Sequence, residues 1–210
     1  MELIKKFFPD LSERQIAQFA ALESLYRDWN VKINVISRKD IDNLYVNHVL
    51  HSLSIARFLG DLTEGTKILD VGTGGGFPGI PLAIFYPDCK FHLIDRTGKK
   101  IRVASEVATA VDLDNVTLQQ GDVAECKDRY DYVVSRAVMP LNDLWHLVSK
   151  NITGSPVKGN RYAPGLICLK GGDLEPEMKG IRAEIIDYPV TEFLPDAHFL
   201  TKMIVYVTRG

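Results

Sequence analysis

The sequence predicts an α/β fold in which a mostly parallel, seven-stranded sheet carries helices on both faces, behind a short helical N-terminal extension. Three observations lead to this expectation. After Gly65, short apolar runs alternate with helical patterns, which is typical of parallel sheets. The segment before Gly65 contains helical patterns alone. The last two apolar runs follow each other without a long helix between them, so we expect an antiparallel strand at the end.

The totals place the chain among ordinary globular proteins. It has 210 residues, of which 46% are hydrophobic and 25% are charged, a size that suits one domain. The net charge of −2 gives no global argument for nucleic acid or an anionic membrane, so any polyanion site must be a local patch. We expect no membrane partner, because no signal peptide or apolar run of about 18 residues is present. We leave the oligomeric state open and favour a monomer.

The cysteines bear on compartment and metal content. Cys89, Cys126 and Cys168 are odd in number and have no CxxC spacing. They predict neither a disulfide framework nor a zinc site, and no other metal site is expected. A reducing cytoplasm fits this usage best.

Two helices are predicted in the N-terminal extension. Residues 11–29 begin with Ser12 and Gln15 at the spacing of a capping box. Residues 40–59 place apolar side chains near one face, and Gly60 is the predicted stop. We expect residues 1–62 to pack as an extension on a core of residues 63–210, so that the chain is effectively one domain.

Seven strands and three connecting helices are predicted after Gly65. The predicted strands are KILDV (67–71), KFHLID (90–95), NVTLQQGD (115–122), YDYVVSRA (130–137), GLICLKG (165–171), AEIIDYPV (183–190) and MIVYVTR (203–209). The predicted helices are FPGIPLAIFY (77–86), GKKIRVASEVATAV (98–111) and LNDLWHLVSKNI (141–152). The polar segment 153–165, rich in glycine and proline, predicts a flexible surface loop.

A dense glycine loop, DVGTGGGFPG, follows the first predicted strand. A phosphate-binding P-loop is excluded, because no Gly-Lys-Ser/Thr follows. The segment 74–79 does match GxGxxG, with Asp95 at about the offset of a ribose-binding acid. Its first glycine, however, lies four residues past Asp70, whereas a dinucleotide fold runs its strand directly into that glycine.

An alternative starts the motif at Asp70, followed by Gly72, Gly74 and Gly76. This arrangement resembles motif I of the S-adenosylmethionine (SAM) methyltransferases. SAM has no phosphate, so it needs bare backbone and acids for an ammonium and two hydroxyls. In this interpretation Asp70 organises the loop or meets the ammonium, Asp95 takes the ribose hydroxyls, and Asp122 lies near the adenine. The simpler alternative is that each aspartate only caps a helix.

Over most of the chain the sequence is similar to a family, the bacterial small-subunit rRNA methyltransferase G, also called glucose-inhibited division protein B. The resemblance rests on DVGTGGGFPGIPLA with NVIS, HVLHS, GKKIR, VSRAVMPLND and LKGG in the family's order. It implies a Rossmann-like class I SAM-dependent methyltransferase that methylates N7 of a guanine in 16S rRNA of the 30S subunit near the decoding site. It places cofactor contacts on Gly72, Phe77, Val123, Ala124 and Arg136. His51 stands where the family usually has Asp, and Ala124 stands where it often has an acid.

The chemistry of guanine N7 agrees with the residues around the fourth predicted strand. Enzymes that methylate exocyclic amines often carry [DNS]PP[YFW] there, whereas this chain has SRAVMP, and carbon-5 methylation needs a cysteine nucleophile that is missing at this place. The N7 lone pair carries no proton, so its attack needs no general base. We therefore expect Arg136 to act in catalysis by position and charge, on the cofactor carboxylate or an RNA phosphate.

Eight residues are candidates for RNA contact, and each has a structural alternative. The candidates are Asn34, Ser37, His48, Arg96, Lys99, Lys100, Arg102 and Lys170. Asn34 and Ser37 also suit a loop and helix cap, His48 a packed core histidine, and the basic run a solvated helix face. Three rival functions stay open: a SAM enzyme for a small molecule or protein, a nicotinamide-dependent oxidoreductase, and an RNA-binding ribosome-assembly factor that keeps SAM as a structural ligand.

Overall fold

The computed structural model describes residues 1–37, 40–136 and 138–209. Its sheet has seven strands in the order β3-β2-β1-β4-β5-β7-β6, and β7 alone runs antiparallel to its neighbours. The strands are β1 (Lys67–Val71), β2 (Lys90–Asp95), β3 (Val116–Gln120), β4 (Tyr132–Arg136), β5 (Gly165–Gly171), β6 (Glu184–Pro189) and β7 (Lys202–Thr208). The predicted α/β class, strand count and antiparallel last strand are thereby confirmed. The predicted strand 130–137 ended at Ala137, which lies outside the described residues.

Seven α-helices accompany the sheet in the part of the chain that the structure describes. They are α1 (Glu2–Phe7), α2 (Glu13–Lys32), α3 (His51–Leu59), α4 (Gly79–Phe85), α5 (Gly98–Ala110), α6 (Leu141–Val148) and α7 (Glu175–Met178). The short helices α1 and α7 were not predicted, because six and four residues are too few to show a helical period. Side chains of α2 to α5 share one buried cluster on one sheet face, and those of α6 pack on the other face.

The second predicted helix, residues 40–59, is wrong in its first half. A 3₁₀ turn at Ile41–Asn43 is followed by a π-helical stretch at Tyr45–Leu50, and regular α-helix starts only at His51. The Ser52 hydroxyl, in the first turn of α3, donates to the carbonyl of His48 in the π-helical stretch at 2.6 Å. The wider turn changes which side chains share a face, and a period of 3.6 residues does not anticipate that. The predicted stop at Gly60, with φ of 70°, is correct.

Helix α2 ties the N-terminal segment to the glycine loop. Ser12 and Gln15 form the predicted capping box, and Phe19, Leu22 and Tyr26 are completely buried. The Tyr26 hydroxyl donates to the Gly75 carbonyl at 2.8 Å. Helix α2 therefore forms one wall of the loop.

The loops that follow β1, β2, β3 and β4 lie at one edge of the sheet, because these four strands are parallel. The strand order reverses between β1 and β4, and open α/β sheets bind ligands in the crevice at such a point. The predicted loop 153–165 is irregular, and its Asn160 side chain accepts from the Thr63 amide at 2.8 Å. Among the residues described, no helix is both long and apolar enough to cross a membrane.

Candidate functional site

Asp70, near the end of β1, holds the two ends of the glycine loop together. Its Oδ2 accepts from the Thr73 hydroxyl at 2.6 Å and from the Gly79 amide at 2.8 Å. The side chain is completely buried, and this burial raises the pKa of the carboxyl to about 7, while the bonds from Thr73 and Gly79 oppose the rise. These two bonds connect the ends of the loop, as the first of the two predicted roles requires, and contact of Asp70 with an ammonium stays a prediction.

The alternate glycines of the loop adopt left-handed backbone conformations that favour glycine. Gly72, Gly74 and Gly76 have φ of 69°, 57° and 108°. A Cβ on Gly72 would lie 2.5 Å from Cγ2 of Val138, and one on Gly76 would meet Ile80. A Cβ on Gly74 would meet only Cδ of Lys100, at 4.0 Å. The backbone at Gly74 thus faces space that another molecule can occupy.

Asp95, the last residue of β2, fixes the position of that open backbone. One carboxylate oxygen accepts from the Gly74 amide at 2.9 Å, and the other accepts from the Thr97 amide at 2.8 Å. Each oxygen retains acceptor capacity for a hydroxyl. A depression of about 270 Å³ adjoins it, with walls that combine apolar side chains and two acids: Val71, Ile94, Val123, Val138, Met139, Leu147, Asp95 and Asp122 among others.

Asp122, after β3, caps the short turn Val123–Glu125. Its carboxylate accepts from the Ala124 amide at 2.9 Å and from an Arg96 guanidinium nitrogen at 2.6 Å. These contacts hold the pKa of the carboxyl below its usual range, the Ala124 bond first. Val123 is buried, whereas Ala124 is exposed. Asp122 therefore caps a short turn, as the simpler alternative predicted, and it also lines the depression near Asp95.

Arg136 ends β4 and points its charge into a small cluster. One guanidinium nitrogen lies 3.0 Å from Nδ1 of His48, and another donates to the Asn47 carbonyl at 3.4 Å. The guanidinium carbon lies 5.2 Å from the centroid of the buried Phe77 ring, which also packs on Tyr26 and His48. Burial lowers the pKa of Arg136, and the carboxyl groups of Asp70 and Asp40 oppose that shift.

His48 is held as a neutral imidazole. Burial, followed by the charge of Arg136, lowers its pKa to about 4. Because the guanidinium is a donor only, Nδ1 of His48 must accept and Nε2 must carry the proton. His51 is buried one turn further on, and burial lowers its pKa to about 3. Both rings belong to the packed structure around Arg136.

A second, larger cavity of about 750 Å³ lies beside Arg136. Its described lining is rich in hydrogen-bond donors and cations and comprises Asp40, Asn47, His48, His51, Arg136, Val138, Met139, Pro140, Leu169, Lys170, Gly171, Glu177, His198 and Lys202. Val138 and Met139 also line the smaller depression near Asp95. The two cavities therefore meet at the segment that follows β4.

The four residues of the basic run near the start of α5, Arg96, Lys99, Lys100 and Arg102, differ in their contacts. Arg96 is paired with Asp122, and the Arg102 guanidinium lies 5.8 Å from the centroid of the Trp29 ring. Lys99 is exposed and Lys100 is half-buried. Lys99, Lys100 and Arg102 share a surface depression with Lys32, Ile33, Asn34 and Thr97. Asn34 thus lies beside the run, whereas the Ser37 hydroxyl donates to Asp40 at 2.5 Å.

Lys170 does not extend this exposed run, which corrects the expectation for it. Its side chain is 7% exposed, and its ammonium donates to Glu177 at 2.6 Å and to the Met139 carbonyl at 2.5 Å. The same Glu177 oxygen accepts from the Leu141 amide at 2.8 Å. A buried, paired ammonium adds little to a surface potential. Its contacts instead fix the segment between β4 and α6.

Sequence reasoning missed four residues of this region: Tyr26, Asp40, Val138 and Met139. The helical period placed Tyr26 in the core but gave no sign of its bond to Gly75. Asp40 carries no motif, the motif VSRAVMPLND gave Val138 and Met139 no role, and only the folded chain brings these residues to the cavity lining. The position of Val138 and Met139 just past a parallel strand is the one usable signal.

Comparison with known proteins agrees with this geometry. The model of a family described as rRNA small subunit methyltransferase G matches residues 15–183. Proteins named ribosomal RNA small subunit methyltransferase G are 56% identical in Bacteroides thetaiotaomicron, over 98% of both chains, and 47% identical in Cytophaga hutchinsonii, over 99% of both chains. Among solved structures, a magnesium protoporphyrin IX methyltransferase from Synechocystis with bound SAM covers 95% of this chain and 98% of its own, with a TM-score of 0.58 and 18% identity. An MtNAS mutant in complex with S-adenosylmethionine covers 93% of this chain and 76% of its own, with a TM-score of 0.60 and 13% identity. These distant structures show the shared class I methyltransferase fold.

Proposed function

The chain belongs to the rRNA small subunit methyltransferase G family, and on that premise we propose that it methylates N7 of one guanine in 16S rRNA, near the decoding site. It is a SAM-dependent methyltransferase of small-subunit rRNA, as its family is. Which atom of which nucleotide is methylated depends on the residues of this chain's own site. We also place the enzyme in the cytoplasm, since its three cysteines are free and buried.

One observation carries the cofactor side: the loop that Asp70 closes presents bare backbone at Gly74, next to the carboxylate of Asp95. SAM has an ammonium, two ribose hydroxyls and a flat adenine, and no phosphate. The open backbone suits its amino-acid portion, Asp95 offers acceptors for hydroxyls, and the apolar walls near Val123 and Val138 suit an aromatic ring. The described residues therefore fit SAM. A nicotinamide dinucleotide would need a pyrophosphate cradle at a helix N-terminus, and here the Gly79 amide of α4 is already bound to Asp70.

The protonation states of Arg136, His48 and Asp70 suit a reaction that needs no general base. Arg136 stays protonated and cannot accept a proton. His48 uses Nδ1 to accept from Arg136, and its Nε2 is buried. Asp70 lies fully buried beneath the loop. Methylation at guanine N7 removes no proton, so it needs none of these three groups as a base.

In this mechanism the protein contributes position and electrostatics. When bound, SAM supplies a methyl group on a sulfonium. The loop residues Gly72 and Gly74 and the acid Asp95 would hold the cofactor at the C-terminal edge of β1 and β2. Arg136, fixed by His48 and Asn47, presents a charge to one anionic group, either the cofactor carboxylate or an RNA phosphate. Holding the N7 lone pair in line with the methyl group supplies most of the acceleration.

The experiment is labelled methyl transfer from SAM to 30S subunits that lack the modification, followed by mapping of the labelled base. We expect one labelled guanine, near the decoding site, with the methyl on N7. Naked 16S rRNA in a parallel reaction tells whether the assembled particle is required. SAM binding without transfer to either substrate would favour the assembly factor, and label on another atom would overturn the N7 assignment.

A further inference from the structure

The larger cavity beside Arg136 is lined by two acids, Asp40 and Glu177. Among the described lining residues, no charged group contacts Asp40 directly. Asp40 lines this cavity, and its hydrogen bonds come from two neutral side chains, the Ser37 hydroxyl at 2.5 Å and the Asn47 amide at 2.9 Å. Glu177, the other lining acid, is already bound to Lys170 and to the Leu141 amide. Among the described residues, Asp40 is thus a lining carboxylate that keeps acceptor capacity, in a cavity that it shares with the donors Arg136 and Lys202.

We propose that this cavity takes the target guanine, flipped out of the RNA, and that the Asp40 carboxylate recognises its Watson–Crick edge. The proposal rests on the proposed function and specifies how that site selects its base. Enzymes that act on a base extrude it into a pocket and hydrogen-bond its Watson–Crick edge. A volume of about 750 Å³ lies within the range of small-ligand sites, so a nucleotide fits.

The chemistry of the base selects the carboxylate. Guanine presents two adjacent donors on its Watson–Crick edge, N1–H and the N2 amine, whereas adenine presents an acceptor at N1. A carboxylate accepts two parallel hydrogen bonds and donates none. Among the described residues, each Asp40 oxygen takes one hydrogen bond, from Ser37 or Asn47, and keeps a second acceptor site. The pair of bonds also fixes the orientation of the carboxylate before RNA arrives.

The placement of the two cavities supports the same assignment. N7 and the N1/N2 edge lie at opposite ends of the purine. If N7 faces the cofactor depression at Val138 and Met139, the group that reads N1 and N2 must come from a different wall. Asp40 precedes the turn Ile41–Asn43, on a segment separate in sequence from the one after β4. The cations Arg136 and Lys202 in the lining would meet the phosphates of the flipped nucleotide.

The test compares guanine with inosine, which lacks only the N2 amine. The substrates are 30S subunits reconstituted with 16S rRNA that carries either base at the methylated position. Wild-type enzyme should prefer guanine, and Asp40→Asn should lower kcat/KM for guanine by roughly five- to 150-fold, the range of one bidentate base contact. The ratio of guanine to inosine should fall towards one in Asp40→Asn. A role in folding alone would not change this ratio.

The matched control is Asp42→Asn, two residues along the same turn. Asp42 is exposed and pairs with Arg27 at 2.9 Å, and it does not line the cavity. Asp42→Asn should keep the wild-type rate and ratio, and both variants should keep wild-type SAM affinity. An unchanged ratio in Asp40→Asn, with wild-type enzyme active on guanine N7, overturns the role of Asp40 alone. Absence of wild-type transfer to the 30S guanine overturns the proposed function and this proposal with it.

Discussion

Arg136 and His48 are joined by a hydrogen bond of 3.0 Å between a guanidinium nitrogen and the imidazole Nδ1. The bond links the end of β4 to the π-helical stretch of the N-terminal segment, two parts of the chain that are 88 residues apart. It also assigns the tautomer of the imidazole, since the guanidinium only donates. The position of the Arg136 charge therefore depends on the N-terminal segment as well as on the sheet.

The first prediction concerns Arg136. Arg136→Ala should lose methyl transfer much more than stability, because the guanidinium ends a buried strand at the ligand edge of the sheet. A preorganised charge contact of this kind contributes about 2 to 4 kcal/mol to the transition state. Arg136→Lys should restore little, since an ammonium lacks the planar fork that contacts His48 and Asn47. Turnover on 30S subunits, SAM affinity and the unfolding midpoint are the measurements.

Arg129→Ala is the control, because this exposed arginine lies just before the other end of β4. It should behave as wild type. Loss of SAM affinity alone in Arg136→Ala would identify a cofactor contact, and loss of turnover alone an RNA contact. Wild-type turnover in both Arg136 variants would remove the residue from the site.

The second prediction concerns the open backbone of the loop. Gly74→Val should abolish SAM binding without unfolding the sheet, because the new side chain points into space that the protein leaves open. The left-handed φ of 57° adds a strain of about 1 to 2 kcal/mol to that substitution. Calorimetry with SAM and with NAD measures the effect, and wild-type protein should bind SAM and its demethylated product but not NAD.

Gly65→Val separates the strain from the occupied space. Gly65 has φ of 78° and also has nothing near its added Cβ, but it lies before β1, away from the loop. It should lose comparable stability and keep SAM binding. Micromolar NAD affinity with no heat from SAM would contradict the cofactor assignment.

The third prediction concerns the exposed basic run. Lys99→Glu with Lys100→Glu should weaken RNA binding and flatten its salt dependence. Each lost phosphate contact reduces the steepness of the plot of log binding constant against log salt concentration by about 0.7 to 0.9. SAM affinity should stay unchanged. Lys170→Met should leave the slope unchanged, since that ammonium is buried against Glu177.

The control for this pair is Lys67→Glu with Lys90→Glu. These exposed lysines are register partners at the amino-terminal ends of β1 and β2, and they give the same change in net charge. Their slope should match that of the wild type. An unchanged slope in the Lys99 and Lys100 variant would make the run an ordinary solvated helix face.

The order of helices and strands was predictable from the sequence, because buried strands and amphipathic helices impose clear periods on it. The capping box of Ser12 and Gln15 and the stop at Gly60 were predictable for the same local reason. The π-helical stretch before His51 was not, since it depends on contacts made by the folded chain. The local sequence pattern therefore predicted whether a segment is a helix or a strand, but it did not predict whether a helical turn is α or π.

The candidate site divides in a similar way. The glycine loop and the strand-end acids carry their chemistry in adjacent residues, so the sequence indicated them. The partners of Lys170 and Arg136 were invisible, because Glu177 lies on a four-residue helix and His48 comes from a distant segment. A lysine in a motif can supply surface charge or a buried ion pair, and only burial distinguishes the two.

The last prediction concerns pH and Asp70. Burial raises the pKa of this carboxyl from its model-compound value of 3.8 to about 7. Between these values the folded chain binds the proton and the unfolded chain does not, so the slope of unfolding free energy with pH is negative. The stability linked to this proton is fully present below about pH 4 and is lost as the pH rises to about 7.

Asp70→Asn removes that titration while keeping an acceptor for Thr73 and Gly79. The stability of the variant relative to wild type should therefore increase between about pH 4 and pH 7 and level off above it. Urea unfolding of both proteins at several pH values measures the difference, in which other groups, including His48, cancel. A flat difference for Asp70→Asn would mean that the carboxyl is ionised throughout this range, and that the loop is closed around a full negative charge.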